Sequence, residues 1–217
     1  MSESTTIQYE RGDDGIVILT IDDPNQGANT MNRAYAESMA ASVERRESEK
    51  DAIKGVIITS GKKTFFAGGD LNDLLAVTKE QSAEFAEGLR EIKGQLRRLE
   101  TLGVPVVAAV AGSALGGGLE ITLATHHRVV VDDPKIQLGT PEVSLGLLPG
   151  GGGVTRTVRM MGIANALLNV LIQGKPLRPA KALELGLISE LVDSPDDLIP
   201  AAKKFINENP EAVQPWD

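Results

Sequence analysis

A chain of 217 residues with 41% apolar side chains can bury one sizeable core, and with only 3% aromatics that core must be built from Val, Ile, Leu and Ala. The formal net charge of −8 argues against a general nucleic-acid binder, although an anionic substrate could still be held by a local basic patch. The absence of cysteine removes disulfides, thiolate metal sites and cysteine nucleophiles, and it suits a reducing, cytoplasmic setting.

In chain order, residues 1–15 carry acids and no apolar core, so they read as neither a signal nor a transit peptide. Runs rich in β-branched residues predict strands over 16–21, 55–60, 104–111, 129–131 and 187–192. Apolar residues at three- and four-residue spacing predict helices over 32–46, 81–102, 119–125, 155–161, 164–172 and 179–185, with a last helix over 195–207. Asp22 to Gly27 is a loop, and Thr30 or Asn32 is placed to cap the helix that follows. Pro195-Asp196-Asp197 puts acids in the first turn of the last helix, where the helix dipole favours them. The uncharged stretch 102–119 has the length of a short membrane span. Pro105 and five glycines interrupt it as a helix, so it reads instead as a buried strand, a tight turn and a helix start. Strands alternating with helices predict an α/β layered fold, divided here into a core over 1–195 and a terminal helix with a proline-containing tail over 196–217.

Three glycine-rich turns punctuate this pattern. They are Phe65-Phe66-Ala67-Gly68-Gly69-Asp70-Leu71, Ala114-Leu115-Gly116-Gly117-Gly118-Leu119-Glu120, and Pro149-Gly150-Gly151-Gly152-Gly153 shortly after Gly139-Thr140-Pro141-Glu142. Taken singly, a glycine cluster is ordinarily a turn or a close packing. None matches a phosphate-binding or dinucleotide-binding pattern, although Gly61-Lys62-Lys63-Thr64 resembles the end of one. Ser113 and Ser144 lie near the turns but outside any nucleophile-elbow pattern. His126 and His127 are adjacent, so on a helix they would point about 100° apart and could not converge on one metal or one triad.

The remaining chemistry is that of carboxylates beside glycine turns. A strand that ends in a glycine turn and opens a helix leaves backbone N–H groups unpaired, and two such turns facing each other make an oxyanion hole. Glu120 follows the second turn in an otherwise uncharged stretch, where a solvated surface role explains it poorly. Glu142, between Pro141 and Val143, is similarly sheltered. Two carboxylates beside an oxyanion hole suit proton transfer next to a thioester carbonyl, although spacing alone does not bring them together.

In this order the three turns resemble the crotonase (enoyl-CoA hydratase/isomerase) family, and the likeness runs from about Ile16 to Val192. Within the family the phrases 64–70 and 148–156 resemble most closely the hydratase portion of the multifunctional fatty-acid β-oxidation chains, and Gln214-Pro215-Trp216-Asp217 looks like the start of a connection to a dehydrogenase portion. The resemblance implies a spiral of ββα units with outer helices, and a C-terminal helical extension missing from this chain. It implies hydration of a trans-2-enoyl-CoA, with Gly69 and Gly117 donating backbone N–H groups to the thioester oxygen. Glu120 would activate water and Glu142 would exchange a proton with the α-carbon. It places Ala67 at the adenine of coenzyme A and Gly68, Gly116 and Gly150 along the substrate, and it offers Lys62 and Lys63 to the CoA phosphates. No metal or redox cofactor is implied, since coenzyme A is part of the substrate. A dehydrogenase portion, a thiolase partner and a homo-oligomer are the associations it suggests. The rival readings are a non-catalytic acyl-CoA-binding or assembly module, and an isomerase or thioester hydrolase sharing the same oxyanion hole.

Overall fold

A computed structural model of the protein describes residues 5–49 and 52–217, so residues 1–4 of the acidic N-terminal stretch lie outside the described residues. In chain order its strands are β1 (Ile7–Arg11), β2 (Ile16–Ile21), β3 (Gly55–Ser60), β4 (Val106–Val110), β5 (Ala114–Leu115), β6 (His127–Val131), β7 (Leu138–Gly139) and β8 (Glu190–Val192). Six of them form one sheet in the order β1-β2-β3-β4-β6-β8, while β5 and β7 pair separately. Only the β1–β2 pair is antiparallel; every later pairing in the large sheet is parallel. Every residue of β4 is buried, which requires both sheet faces to be covered, as parallel sheets demand.

The helices are α1 (Arg33–Ser48), α2 (Leu71–Ala76), α3 (Ser82–Glu100), α4 (Gly117–Leu123), α5 (Gly153–Met161), α6 (Ile163–Ala166), α7 (Pro179–Glu184) and α8 (Leu198–Glu208). Asn32 caps α1, its side chain accepting from the Tyr35 N–H at 2.8 Å. Tyr35, Met39 and Val43 of α1 and Leu96 and Leu99 of α3 enter the core, and Tyr35 meets Phe66 edge-on with ring centroids 5.0 Å apart. α8 lies against β3, β4 and β6 through buried Leu198, Ala202 and Ile206. A Cβ on Gly55 would sit 2.5 Å from Ile206 Cγ2, so glycine at the start of β3 is what lets α8 approach.

A second layer follows from the first. After β2 the chain bridges at Met31 to Gly69; after β3 Phe66 bridges to Ala114; after β4 comes β5, which pairs with β7 after β6. Each long strand thus continues into a short bridging segment and then a helical one: α1 after Met31, α2 and α3 after Gly69, α4 after β5, and a 3-10 turn (Pro141–Leu145) after β7. This is the expected spiral of ββα units, and its second layer carries the first two glycine turns, with the third following the 3-10 turn. The stretch 102–119 resolves into β4, β5 and the start of α4, and no helix among the described residues is long and apolar enough to cross a membrane.

Several elements differ from expectation. β1 was not anticipated because only Ile7 of its five residues is buried, too little for a period-two signal. α2 buries no side chain and so has no apolar stripe; it is started by Asp70, whose carboxylate accepts from the N–H groups of Asn72 and Asp73. The expected helix over 164–172 is α6 followed by a π-helical turn, Leu167–Leu171. Of the strand expected over 187–192 only Glu190–Val192 pairs. Leu187 is buried in a turn closed by its N–H on Ala182 O at 2.9 Å.

Candidate active site

The first two glycine turns meet face to face. Leu115 donates its N–H to Phe66 O at 3.1 Å, and a Cβ on Gly68 would lie 3.3 Å from Leu115 O and 3.9 Å from Gly117 N. Gly68 has φ +100° and Gly116 φ +52°, backbone conformations that suit glycine and open the two turns toward each other. The Gly117 N–H opens α4 and has no intrahelical acceptor. Gly69 faces open space, with nothing within 4 Å of the position of a Cβ. Gly68 and Gly117 are thus neighbours across the two turns, and Gly69 follows Gly68 on the open side.

Glu120 is 2% exposed and lies in the first turn of α4. The third glycine turn wraps its carboxylate. Gly153 donates its N–H to Glu120 Oε1 at 2.7 Å, and a Cβ on Gly151 would lie 2.7 Å from Oε2. Burial raises the Glu120 pKa, while the N–H groups of Gly153, Gly151 and Gly152 and the charge of Arg156 work the other way by favouring the anion.

Glu142 reaches the same place from the 3-10 turn after β7, with Oε1 only 2.7 Å from the position of a Cβ on Gly116. Gly116 O in turn accepts the Glu120 N–H at 3.0 Å, so the two carboxyl groups flank the start of α4. Glu142 Oε2 is buried and has no hydrogen-bond partner among the described residues. Burial, followed by the Glu120 charge, pushes its pKa up to about 7. One carboxylate is thus cradled by donors and the other is not, an arrangement that separates a base from an acid.

The other predicted positions are distributed around this centre. Gly150 lies next to Leu89 of α3, whose side chain is 3.7 Å from the position of a Cβ. Ala67 is exposed with its N–H bonded to Asn29 O at 2.8 Å, so the backbone group it can offer a ligand is its carbonyl. Lys62 holds Asp22 at 2.9 Å, whereas Lys63 is exposed. His126 and His127 diverge, but not on a helix as expected: α4 ends at Leu123 and His127 opens β6. His126 accepts from Val106 N–H and meets Glu100 O, while His127 contacts Glu190 and stacks on Phe205.

Sequence reasoning missed Asn29 and Met31. Asn29, 1% exposed, donates to Ile21 O, Ser60 Oγ and Phe65 O and accepts from the Asp23 N–H, tying the loop after β2 to the first glycine turn. Met31 donates its N–H to Gly68 O at 2.8 Å, and its thioether packs under Gly117. Only their position, just ahead of the helix cap Asn32, signalled either.

Residues 11–214 match the family model described as enoyl-CoA hydratase/isomerase. Among curated relatives, the chain is 40% identical over 217 residues to the fatty acid oxidation complex subunit alpha of Idiomarina loihiensis, a match covering 99% of this chain and 30% of that protein. It is 44% identical over 191 residues to the subunit of the same name from Shewanella oneidensis, covering 86% of this chain and 26% of that one. The chain therefore spans less than a third of these relatives' length. Among solved structures, an enoyl-CoA hydratase from Bacillus anthracis superposes with a TM-score of 0.83 at 27% identity, over 94% of this chain and 76% of that one. An enoyl-CoA hydratase from Thermoplasma volcanium gives a TM-score of 0.80 at 27% identity, over 95% and 77%.

Proposed function

We propose, for a chain that belongs to the enoyl-CoA hydratase/isomerase family, that it adds water across the 2,3-double bond of a trans-2-enoyl-CoA to give a 3-hydroxyacyl-CoA in fatty-acid β-oxidation. The observation that carries this reading is the asymmetry of the two carboxyl groups flanking α4: Glu120 held by backbone donors, and Glu142 with a buried oxygen left without a partner among the described residues.

The thioester oxygen sits between the N–H groups of Gly69 and Gly117, which stabilise the negative charge it takes on as the β-carbon is attacked. Glu120, as the anion, takes one proton from the attacking water. The oxygen bonds to the β-carbon, and the π electrons move through the α-carbon to the thioester oxygen. Glu142, protonated near neutral pH because its pKa lies at about 7, delivers its proton to the α-carbon and the enolate collapses. Proton exchange between the two carboxyls resets the site. The reaction is redox-neutral, and its charges are handled by carboxyl and N–H groups, so no metal or redox cofactor is invoked.

The acyl-CoA lies with its adenine near Ala67 and its thioester between Gly68 and Gly116, and the reacting end reaches Gly150. Exposed Lys63 is the lysine we assign to a CoA phosphate; Lys62 would first have to exchange its Asp22 partner. The relatives' name, subunit alpha of a fatty acid oxidation complex, supports a place for this chain in such a complex; a dehydrogenase portion, a thiolase partner and a cytoplasmic setting are our own extension of that reading. Two copies of the chain could also associate.

The test is product analysis of crotonoyl-CoA incubated with the protein in H2(18)O. The reading expects 3-hydroxybutyryl-CoA with the label on C3. Release of free CoA would identify a thioester hydrolase, a migrated double bond an isomerase, and binding without conversion an assembly module.

A further inference from the structure

Behind the loop that cradles Glu120 lies a buried ion pair that the proposed chemistry does not use. Arg156 of α5 and Glu100, the last residue of α3, are 7% and 4% exposed. Arg156 Nε donates to Glu100 Oε1 at 2.7 Å and Nη2 donates to Oε2 at 3.1 Å, a two-pronged pairing. The remaining terminal nitrogen, Nη1, donates to Gly151 O at 2.9 Å.

That last bond acts on Glu120 through one peptide plane. Gly151 C=O and Gly152 N–H belong to the same planar trans unit, so fixing the carbonyl on one side fixes the direction of the N–H on the other. The Gly152 N–H is among the donors that favour the Glu120 anion, together with those of Gly151 and Gly153. At Gly152, φ is +106° and any Cβ would overlap the Arg156 guanidinium, so the loop follows the guanidinium closely. A buried ion pair is weak evidence of stabilisation, because apolar replacements often do as well. What apolar residues could not do is aim the peptide.

Glu100 is itself held from several sides. Arg97 Nη1 donates to Oε2 at 3.2 Å, and His126 Nε2 lies 3.0 Å from the Glu100 carbonyl oxygen. Gln214, 1% exposed in the C-terminal segment, reaches Glu100 Oε1 at 3.4 Å, Leu123 O at 3.3 Å and Thr125 O at 3.2 Å. Gln214 thereby ties the end of α3 to the chain just after α4, the helix that carries Glu120. Asp217 closes the series, accepting from both terminal nitrogens of Arg97, Nη1 and Nη2.

We propose that Arg156 and Glu100 are positioning residues for Glu120, orienting the Gly151–Gly153 loop so that its carboxylate faces the reacting water, with Gln214 locking the pair from the C-terminal segment. This rests on the reading of Glu120 as the water-activating base. The charged groups around Glu120 are Glu142 from the 3-10 turn and Arg156 from α5, with Glu100, Arg97 and His126 behind Arg156. Neutralising the two members of the pair therefore has opposite electrostatic consequences. Arg156→Gln leaves a buried carboxylate near the loop and raises the Glu120 titration; Glu100→Gln leaves a buried guanidinium and lowers it.

The experiment compares the full chain with its Arg156→Gln, Glu100→Gln, Arg156→Lys, Glu100→Gln/Arg156→Gln and Glu120→Gln variants. The readouts are kcat and KM for crotonoyl-CoA against pH, and the Glu120 titration by carbon-13 NMR in a Glu142→Gln background, which needs no turnover. Arg156→Gln and Glu100→Gln are expected to shift the Glu120 titration in opposite directions by at least ~0.5 pH unit. Each should lower kcat by about 10- to 100-fold with KM nearly constant. Arg156→Lys should keep the titration near its original place but not restore kcat, because a point charge cannot reproduce the fork. The double glutamine variant, with neither charge of the pair left, covers the case in which a single variant fails to fold; its titration should return toward the original with kcat still low. If Glu120→Gln abolishes turnover while the pair variants leave both titration and kcat in place, the positioning role is overturned. If Glu120→Gln retains turnover, the base assignment itself fails and the proposal with it.

Discussion

Replacing Glu142 by glutamine removes a carboxyl that burial and the neighbouring Glu120 charge hold up at about 7, against an ordinary value of 4.5. Between those two values the folded protein keeps a proton that the unfolded chain has lost. The stability tied to this group is therefore complete below the unfolded pKa and is lost as pH rises through the folded one. The full span corresponds to at most about 3.4 kcal/mol at 1.36 kcal/mol per unit. Glu142 is only partly buried, and solvent screening reduces the expected change to about 1–2 kcal/mol. Urea unfolding of both proteins at about pH 5 and about pH 8 measures it. Glu142→Gln should gain that amount relative to the unmodified chain on going to the higher pH, because glutamine does not ionise. His126 and His127, whose pKa values burial lowers, titrate in both proteins and cancel in the comparison. Parallel stability curves for the two proteins would refute the account of Glu142 as a carboxyl kept protonated by its surroundings.

Gly151→Ala would place a Cβ 2.7 Å from Glu120 Oε2 and 3.0 Å from Cδ, so the carboxylate must retreat; kcat for crotonoyl-CoA should fall about 10-fold with KM little changed in steady-state assays. Gly118→Ala would meet Phe66 backbone oxygen at 2.5 Å, where nothing flexible can yield, and urea unfolding should show a loss of about 3 kcal/mol. Asn29→Ala strands the Phe65 carbonyl and the Asp23 N–H, while the Ile21 carbonyl keeps the Gly61 N–H; thermal melting should register about 2–4 kcal/mol, with activity falling as the first glycine turn loosens.

Much of this was legible in the sequence because the signals were local. β2 and β3 fall where β-branched runs place them, and Asn32 caps α1. The three glycine turns stood out because glycine leaves so visible a mark. That Glu120 and Glu142 approach the same helix start was not legible, since it depends on β5 pairing with β7, strands of two residues each with no pattern to read. Arg156 belonged to a recognised phrase but carried no role, because its partner Glu100 lies 56 residues away at the end of a helix. Gln214 gave no sign at all, as a polar residue in a proline-containing tail is ordinarily solvated, and its burial depends on carbonyls at Leu123 and Thr125. α2 escaped notice for the opposite reason, being specified by a capping aspartate rather than by burial.

The most direct test of the account is the kcat for hydration of crotonoyl-CoA by the unmodified chain and by Glu120→Gln and Glu142→Gln, each shown by circular dichroism to be folded. Both substitutions are predicted to lower kcat by about 10²–10⁴-fold, since each removes one of the two proton transfers. A folded variant of either glutamate that turns over within about 10-fold of the unmodified chain would contradict the two-carboxylate mechanism.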